Sequence, residues 1–519
     1  MSNEYTDLVV GFGENLDAYD KWDAKVPSFL KQKLQARQTA ADEIHVYAKP
    51  GSLSAVEREH LLELVDPSDL PDGGGLRPPA TMPRHEGAPG AVADESRRDP
   101  GPLPEALLGA PGFVDALMGH TLKTAPYPNK TLAFAGALAM LAHLSGRRYR
   151  DIRNLRTNIY LIALAESGAG KDHPRKVNVN LAAAVGLMPT MADRFASGPG
   201  LEDALLLKPA SFFQVDEADT LFKCLQDKDS TTEQIYGALL QFFTSADTVY
   251  SMRKKALQSA SAKPNPFDKL RAAGIREPHL VMLGTAVPRY FYQALSERAL
   301  ENGLLSRCLV LEAGERGKSG NPHCEPFPES VRTAAENLAR EGGFEGVDLA
   351  KPEAPIAMPE PLVVRESDLA TVAYRQIVSA AEARYDAAPD TTGKALWTRA
   401  AEKTMKLALL YAISQNPQSP LITPEAVRWG WAVVDHLTRR MLYQASMYIA
   451  DNNFDAYRQK AVRYLRDYGH GMLNHGQLLR YMHIDADTFR KVIDTLTESE
   501  MIVSHPIAKG GFRYSLVNA

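Results

Sequence analysis

The sequence predicts an α/β protein whose central domain is a parallel β-sheet flanked by helices. Four apolar runs of strand length, at 158–164, 211–215, 279–285 and 307–313, are separated by stretches with helical periodicity. Short buried runs that alternate with helices are typical of a parallel sheet, because both faces of such a sheet are covered. A glycine-rich turn follows the first run and two carboxylates follow the second, so we expect the sheet to carry a functional site.

Composition sets broad limits on the protein. The 519 residues include 59 Lys and Arg against 63 Asp and Glu, a net charge of -4, which disfavours a coat-like nucleic-acid binder but allows an enzyme with a local basic channel. The three cysteines have no metal-ligand spacing, and no apolar run approaches the roughly 18 residues of a membrane helix. The N-terminus has no basic-then-apolar signal, and we therefore expect a cytoplasmic protein with no membrane partner.

Changes in composition along the chain predict six parts. The segment 67–104 is dense in Pro and Gly and poor in large apolar residues, which indicates a linker because such a segment cannot bury a core. Helical periodicity predicts a helix over 55–65 and a strongly buried helix that ends at Gly146. The parts are an unassigned N-terminal region (1–66), the linker (67–104), a helical approach (105–150), the sheet domain (151–325), a helical lid region (326–450) and a C-terminal domain (453–519).

The most specific motif is AESGAGKD, which follows the first apolar run and opens a helix. Glycines let the chain curl until its backbone N–H groups point at a phosphate, the helix N-terminus adds a favourable dipole, and the lysine reaches the outer phosphates. A glycine-rich turn with an exposed lysine is the alternative. The residues expected to contact phosphate are Ser167, Gly168, Ala169, Gly170, Lys171 and Asp172.

Two positions depart from the usual phosphate-binding pattern, GxxxxGK followed by Ser or Thr. Ala165 replaces the first glycine, and Asp172 replaces the hydroxyl residue that binds Mg²⁺. We still expect Asp172 to approach the metal, through its own oxygen or through a water.

Asp216 and Glu217 form a carboxylate pair at the end of the second apolar run. A carboxylate at this place holds Mg²⁺ and its neighbour polarises the attacking water, so Asp216 is the predicted metal ligand and Glu217 the predicted catalytic residue. A solvated loop is the alternative for two adjacent carboxylates. Together with Lys171, the pair predicts hydrolysis of ATP with Mg²⁺ as the metal cofactor.

Two further polar residues border the remaining runs. Thr285 ends the third run, where its hydroxyl is expected to meet the γ-phosphate or the attacking water, and the alternative is a Thr that caps the next turn. Arg307 opens the fourth run and is expected to act as an arginine finger on a neighbouring subunit's nucleotide, which requires an oligomer, commonly a ring. The alternative for Arg307 is a surface ion pair.

These motifs, in this order, resemble a family of phage and prophage P-loop proteins described as helicases or primase-helicases, and also superfamily 3 and other AAA+-type replicative helicases. The resemblance covers roughly 105–440 and depends on TAPYPNKTLAFAGALAMLAHLSGRRYR, TNIYLIALAESGAGKDHPRK, SGPGLEDAL, FFQVDEAD, LGTAVP and GLLSRCLVL. It implies a P-loop NTPase (AAA+/RecA-like) core in which Thr285 is a sensor, Arg307 a finger, and Arg399 or Lys403 a lid-side sensor.

The motif AESGAGKD is also similar to the GESGTGKE loop of AAA+ transcriptional activators that work with an alternative sigma factor. In those activators an acidic residue stands at the position of Asp172. Their GAFTGA loop is absent from this sequence, which disfavours the activator interpretation.

Basic residues predict two DNA contacts. In the stretch 223–278, Arg253, Lys254 and Lys255 are expected to line the channel of a ring and grip a single strand, with a solvated loop as the alternative. At the C-terminus, three helices and two strands predict a winged helix-turn-helix that contacts duplex DNA, although acidic residues share this region and docking to a protein is the alternative. The expected duplex contacts are Arg490, Lys491, Lys509 and Arg513.

Three hypotheses follow. The first is an ATP-driven DNA motor, a homo-oligomeric ring such as a hexamer that melts or translocates along DNA together with other replication proteins. The second is a loader that binds the host replicative helicase without unwinding DNA alone. The third is an ATP-dependent transcription regulator that reads duplex DNA through its winged helix.

Overall fold

The computed structural model describes residues 7–13, 16–38, 44–49, 61, 64, 99–226, 230–253, 266–295, 300, 303–341, 343–348, 360–388, 390–448, 453–469, 472–507 and 511–517. The chain divides into two compact units, Met1–Gly90 and Ala91–Ala519. The first unit contains an antiparallel sheet in the order β1-β3-β2. Its elements are β1 Asp7–Gly13, α1 Leu16–Lys25, α2 Ser28–Lys31, β2 Leu34–Gln38 and β3 Ile44–Ala48.

Apolar side chains form the core of the first unit. Trp22, Leu30 and Val46 are almost fully buried in one cluster, and the indole Nε1 of Trp22 donates a 2.7 Å hydrogen bond to the carbonyl of Leu61. The helix predicted over 55–65 lies mostly outside the described residues.

The second unit contains the remaining elements. Its strands are β4 Tyr149–Asp151, β5 Tyr160–Leu164, β6 Met191–Ala192, β7 Ala210–Asp216, β8 Val249–Tyr250, β9 Ile275–Arg276, β10 His279–Ala286, β11 Cys308–Glu312, β12 Leu362–Glu366, β13 Leu421–Ile422, β14 Met472–Asn474, β15 Ile502–Pro506 and β16 Phe512–Leu516. Its helices are α3 Phe113–Thr124, α4 Lys130–Leu144, α5 Asp172–Ala184, α6 Gly198–Leu207, α7 Asp219–Gln226, α8 Ser230–Thr244, α9 Pro266–Ala273, α10 Pro288–Gln293, α11 Leu304–Arg307, α12 Glu329–Glu341, α13 Asp368–Ala387, α14 Thr391–Trp397, α15 Ala400–Gln415, α16 Pro424–Tyr448, α17 Asn453–Gly469, α18 His475–Met482 and α19 Ala486–Glu498.

A five-stranded sheet in the second unit confirms the predicted parallel arrangement. Its order is β11-β5-β10-β7-β6, and every neighbouring pair of strands is parallel. The four long strands coincide with the four apolar runs of the sequence. The edge strand β6 was not predicted, because two residues are too few to show a period.

Strand β5 shows why these runs form the centre of a covered sheet. All five of its residues are buried, and alternate side chains enter two different clusters. Leu161 and Ala163 join a cluster with the helices α4 and α15, whereas Tyr160, Ile162 and Leu164 join a cluster with α8 on the other face. Because side chains of a strand alternate between its faces, a strand covered on both sides has no polar position.

Helix α4 is the strongly buried helix of the sequence prediction. Its side chains are buried all around, which is typical of a helix in the interior of a large domain. The side chain of Asn129 accepts a hydrogen bond from the amide of Leu132 and so caps the first turn. The helix ends at Leu144, two residues before the predicted Gly146.

The predicted helical region contains α12 to α16 and two short strands. Strands β13, β12 and β4 form a small parallel sheet, and β8 pairs with β9 in an antiparallel ladder. Within this region the pattern of LWTRAAEKTMKLALLYAIS, 396–414, favours one continuous helix. In the structure α14 ends at Trp397 and α15 begins at Ala400, so the segment is divided between two helices.

The C-terminal region, 453–517, contains the three predicted helices α17, α18 and α19 and an antiparallel sheet in the order β14-β16-β15. Leu465, Leu478 and Phe489 from the three helices share one buried cluster. The sequence predicts that Asp485 or Asp487 opens the last helix, since an aspartate is a favoured N-cap. Asp485 caps α19 by accepting hydrogen bonds from the amides of Asp487 and Thr488, which confirms the first of these two residues. Strand β14 was not predicted.

The last residues of the predicted linker, 99–104, pack against helix α16. Arg440 forms an ion pair with Asp99, His436 donates from Nε2 to the carbonyl of Gly101, and Leu103 is buried. Among the helices that the structure describes, none combines the length and apolar character needed to cross a membrane.

Candidate functional site

The turn between β5 and α5, residues 165–172, has a conformation that requires its glycines. Gly168 and Gly170 have φ angles of +76° and +89°, in the left-handed region that favours glycine. A Cβ atom at Gly170 would lie 2.8 Å from the carbonyl oxygen of Tyr127, so a side chain there would also displace backbone. We call this segment the glycine turn.

The glycine turn presents backbone donors at the start of a helix. The amide of Ala169 donates to the carbonyl of Glu166 at 3.1 Å, which closes the turn. Among the described residues, the amides of Gly168, Gly170, Lys171 and Asp172 have no protein acceptor. Because α5 begins at Asp172 and runs for 13 residues, these donors stand at the positive end of a helix, where an anion is favoured.

The strand register brings the predicted carboxylate and the predicted sensor to the same edge as this turn. Strand β10 lies between β5 and β7, with Ala286 opposite Leu164 and Thr285 opposite Asp216. The hydroxyl of Thr285 donates a 2.8 Å hydrogen bond to Oδ1 of Asp216. Thr285 therefore holds the carboxylate, and its hydroxyl is not used to cap the turn that follows.

Glu217 stands directly after β7 in a strained backbone conformation. Its φ angle is +54°, which costs a residue with a side chain about 1–3 kcal/mol and recurs at functional sites. Its carboxylate is exposed, its amide donates to Oδ1 of Asp216 at 3.0 Å, and the next amide, that of Ala218, donates to the carbonyl of Thr285 at 2.9 Å. These bonds fix the direction in which the chain leaves β7.

Several groups keep Asp216 ionised. Partial burial by itself would raise the pKa of its carboxyl group, but the hydroxyl of Thr285, the guanidinium of Arg175, the amide of Glu217 and the ammonium of Lys171 together lower the pKa below its usual value. The effect of Lys171 shows that the glycine turn and the end of β7 share one electrostatic environment.

Arg175 joins two residues of the site and was not predicted. Its Nη1 lies 3.3 Å from Oδ2 of Asp216 and 3.7 Å from Oδ1 of Asp172, and its Nη2 donates to the carbonyl of Gln214 at 3.2 Å. The only signal in the sequence was its position one helical turn after Asp172. A cavity of about 240 Å³ beside this contact is bordered by Asp172, Arg175, Gln214 and Asp193.

Arg316, in the segment after β11, also lies at this edge and was not predicted. Its guanidinium stacks 3.7 Å from the ring centroid of Tyr127, and its Nη1 is 3.5 Å from where a Cβ of Gly168 would be. The amide of Gly320 donates to the carbonyl of Pro126 at 2.8 Å, which fixes this segment against the residues before α4. The segment 314–328 has no periodic pattern because it is rich in Pro and Gly.

Two carboxylates are available to a divalent metal. Among the described residues there is no group of three or more His, Cys, Asp or Glu side chains that could hold a metal ion. Mg²⁺ that accompanies a nucleotide needs only one or two carboxylates, since phosphates and waters supply the other ligands. Oδ1 of Asp172 and Oδ2 of Asp216 lie 3.7 Å and 3.3 Å from the same nitrogen of Arg175, so the two carboxylates share one cationic neighbour.

Arg307 lies at the opposite edge of the sheet from the glycine turn. It ends the short helix α11 and directly precedes β11, whose first residue pairs with Tyr160, the first residue of β5. Its Nη1 donates to the carbonyl of Gly303 at 2.7 Å, and its guanidinium lies 5.8 Å from the ring centroid of Phe243. Burial, and then the nearby Arg399, lower its pKa.

Arg399 and Lys403 lie at the same amino edge as Arg307. The guanidinium of Arg399 is 5.9 Å from the ring centroid of Phe243, and Nζ of Lys403 donates to the carbonyl of Cys308 at 3.4 Å. Burial lowers the pKa of Lys403 to about 8. Neither residue lies at the edge of the sheet that carries the glycine turn.

The predicted DNA contacts are spread over the second unit. Arg253 is held by Oε1 of the buried Glu202 at 3.0 Å and of Gln234 at 2.9 Å, so it already has a structural role. Lys254, Lys255 and Lys509 lie outside the described residues.

The described residues of the predicted duplex face are exposed. Arg490 pairs with Asp487 at 3.3 Å, and Lys491 is exposed on the same helix. Arg513 donates from Nε to Oδ1 of Asn474 at 3.0 Å. Binding of DNA by these residues stays a prediction.

No protein-family model and no curated protein matches this chain. The arrangement of the described residues therefore carries the functional argument.

Proposed function

We propose that the second unit is a P-loop ATPase that uses ATP and Mg²⁺ to do work on DNA. One observation carries the proposal: the amides of the glycine turn, Lys171, Asp216 and Thr285 meet at the carboxyl edge of one parallel sheet. Ligands of open α/β sheets bind outside the carboxyl ends of the strands, and this edge combines anion donors with an ionised carboxylate.

Each residue of the site has a role in this proposal. The amides of the glycine turn and the ammonium of Lys171 bind the phosphates. Asp216 and Asp172 serve as ligands for Mg²⁺, which neutralises phosphate charge when it is bound. Glu217 orients and polarises the attacking water, and Thr285 fixes Asp216 and senses the γ-phosphate.

The opposite locations of the glycine turn and Arg307 support an oligomer. An arginine at the amino edge cannot serve a nucleotide at the carboxyl edge of the same sheet, whereas in a ring the amino edge of one subunit faces a neighbour's site. In this arrangement Arg307 supplies positive charge to the transferred phosphoryl group of the adjacent subunit. Hydrolysis then depends on assembly.

The proposed substrate of this motor is DNA, which it melts or moves along during replication. The support is the exposed basic residues Arg490 and Lys491 on α19, together with the order of helices and strands in 453–517, which fits a winged helix. A loader for the host replicative helicase is the second candidate, because the acidic residues beside Arg490 also suit a protein partner. A transcription regulator is the third candidate.

The deciding experiment is ATP hydrolysis by the purified chain with and without single-stranded DNA. Lys171→Ala and Glu217→Gln are each expected to abolish turnover, whereas Lys394→Ala and Glu336→Gln, at exposed positions on α14 and α12, keep it. ATP hydrolysis that single-stranded DNA stimulates supports the motor. Displacement of a DNA strand by the purified chain would then distinguish a motor from a loader. Turnover that ignores DNA favours the loader, and no nucleotide binding in the wild-type chain overturns the proposal.

A further inference from the structure

Three tyrosine side chains form one cluster on the surface of the C-terminal region. Tyr464 and Tyr468 lie on α17, and Tyr481 lies on α18. Their ring centroids are separated by 5.5 Å (Tyr464 and Tyr468), 5.6 Å (Tyr464 and Tyr481) and 5.7 Å (Tyr468 and Tyr481), so each ring contacts the other two. We call this cluster the tyrosine platform.

Two of the three rings of the tyrosine platform are exposed, whereas Tyr464 is partly buried and packs against the core of this region. Tyr468 is 54% exposed and Tyr481 is 40% exposed, whereas Leu465 and Met482, the neighbours of these residues on the same helices, are fully buried. Exposed aromatic rings that contact one another form a contiguous apolar patch, which marks a binding site more often than an isolated exposed ring does.

The charge around the platform is positive. Nζ of Lys460 lies 5.8 Å from the ring centroid of Tyr464 and donates a hydrogen bond to the carbonyl of Met482 at 2.7 Å. Among the described residues this is its one acceptor, so two of its three N–H donors have no described partner. Arg480 is exposed on α18 beside Tyr481. The other basic residues of α17 contact different groups: Arg458 donates to the sulfur of Met501, Arg463 lies over the ring of Tyr448, and Arg466 pairs with Asp467. Lys460 and Arg480 are therefore the cations of the platform.

The neighbouring helix α19 has the opposite balance. Its acidic residues are Asp487, Asp494 and Glu498, against Arg490 and Lys491. A cavity of about 320 Å³ between α19 and the strands β15 and β16 is bordered by Asp494 and Glu498. Phosphates are therefore attracted more strongly to Lys460 and Arg480 than to the cavity bordered by Asp494 and Glu498.

We infer that the tyrosine platform binds single-stranded nucleic acid, with bases stacked on Tyr468 and Tyr481 and backbone phosphates near Lys460 and Arg480. Exposed aromatic rings flanked by cations are the combination that holds a single strand, because every unpaired base offers a flat face and every nucleotide carries a phosphate. A duplex does not suit this surface, since its bases are already stacked on one another. The site is separate from the glycine turn and does not depend on hydrolysis of ATP.

Binding of a labelled oligo(dT) to the full-length chain, measured by fluorescence anisotropy without nucleotide, tests this inference. Tyr468→Ala and Tyr481→Ala are each expected to weaken binding about tenfold, because stacking on one aromatic side chain contributes on that order. Tyr468→Phe keeps the ring and is expected to keep the affinity. Tyr385→Ala, which removes a 39% exposed tyrosine of α13 beside Lys394, is the matched control.

Three further measurements separate local loss of contact from other causes. Arg480→Ala is expected to reduce the slope of log affinity against log salt concentration by about one, the effect of one lost phosphate contact. The thermal stability of the chain is expected to stay unchanged. Photocrosslinking of an iodouracil-substituted strand is expected to modify peptides that contain Tyr468 or Tyr481. Lys171→Ala is expected to bind oligo(dT) normally, so a failed ATPase proposal would leave this result unchanged.

Unchanged oligo(dT) binding in both alanine variants, or crosslinks confined to other peptides, would overturn the inference and leave a protein surface as the occupant of the platform. Equal loss of binding in Tyr468→Phe and Tyr468→Ala would also overturn it, because the ring would then not be the contact.

Discussion

Arg175 and Asp216 form an ion pair, with Nη1 of the arginine 3.3 Å from Oδ2 of the aspartate. The arginine comes from the first turn of α5 and the aspartate from the end of β7, so the contact joins the helix of the glycine turn to the carboxylate strand. The same guanidinium lies 3.7 Å from Oδ1 of Asp172. A positive charge thus stands between the two carboxylates that we propose as ligands of Mg²⁺.

Replacement of Arg175 is expected to change the metal requirement. In Arg175→Ala, Asp172 and Asp216 lose a cation that offsets their charge, so they attract Mg²⁺ more strongly and the Mg²⁺ concentration for half-maximal ATPase activity falls several-fold. Arg175→Lys keeps the charge and is expected to change this concentration less. A Mg²⁺ titration of turnover measures the effect, with Arg332→Ala on the exposed face of α12 as the control. A higher Mg²⁺ requirement in Arg175→Ala would contradict competition between the arginine and the metal.

Thr285→Val is expected to change the pH dependence of turnover. The variant keeps the shape of the side chain but removes the hydroxyl that donates to Asp216 and helps to lower its pKa. The pKa of Asp216 then rises, the carboxylate takes up its proton at a higher pH, and the acid limb of the rate profile moves toward neutral pH.

The measurement is kcat/KM as a function of pH for both chains. Thr244→Val is the matched control, since this threonine is exposed on α8 and its hydroxyl contacts only carbonyls of its own helix. An acid limb in Thr285→Val that coincides with the wild-type limb would show that the hydroxyl does not set the ionisation of Asp216.

Gly170→Ala is expected to lower nucleotide affinity by about tenfold or more. A side chain at φ +89° costs about 1–2 kcal/mol, and its Cβ would also approach the carbonyl oxygen of Tyr127 to 2.8 Å, so the turn must move. Gly186→Ala is the control, because it has a φ of +75° but open space around the added Cβ. Binding of a fluorescent ATP analogue and thermal unfolding are measured for both. Equal affinity losses in the two variants would mean that the loss is not specific to the glycine turn and would contradict the prediction.

Arg307→Ala is expected to abolish ATP hydrolysis although the glycine turn is intact. If Arg307 acts on a neighbour's nucleotide, a mixture of Arg307→Ala and Lys171→Ala subunits regains turnover, because interfaces form that have both Lys171 and Arg307. Turnover of the mixture is measured over a range of ratios. The control is a mixture of Arg332→Ala and Lys171→Ala subunits. Its turnover shows how much activity remains when active subunits are diluted with inactive ones. The absence of any recovery in the first mixture, at ratios where mixed oligomers form, would contradict a role in trans.

The sequence determined the elements whose signal is local. The strands β5, β7, β10 and β11 follow from apolar runs, and the glycine turn follows from residues that lie next to one another. The helix α19 begins at a predicted residue because Asp485 caps it through bonds to the next amides along the chain. Such signals depend on spacing over a few residues, which a single sequence displays directly.

Tertiary structure decided which of these elements meet. Strand β10 lies between β5 and β7, and this order alone places Thr285 on Asp216. The contacts of Arg175 with Asp216 and of Arg316 with Tyr127 join residues far apart in the chain, and the location of Arg307 opposite the glycine turn depends on the direction of β11. Neither periodicity nor motif spacing predicts which strands pair, because the pairing depends on how both faces of the sheet pack.

The tyrosine platform shows the same division within the C-terminal region. The sequence determined α17 and α18 through their helical periodicity, but Tyr464 and Tyr468 are separated from Tyr481 by the strand β14 and a change of chain direction. Only the packing of the two helices brings the three rings together at the surface. The physical reason is that residue type fixes what a side chain can bind, whereas the fold fixes which side chains are close enough to bind it together.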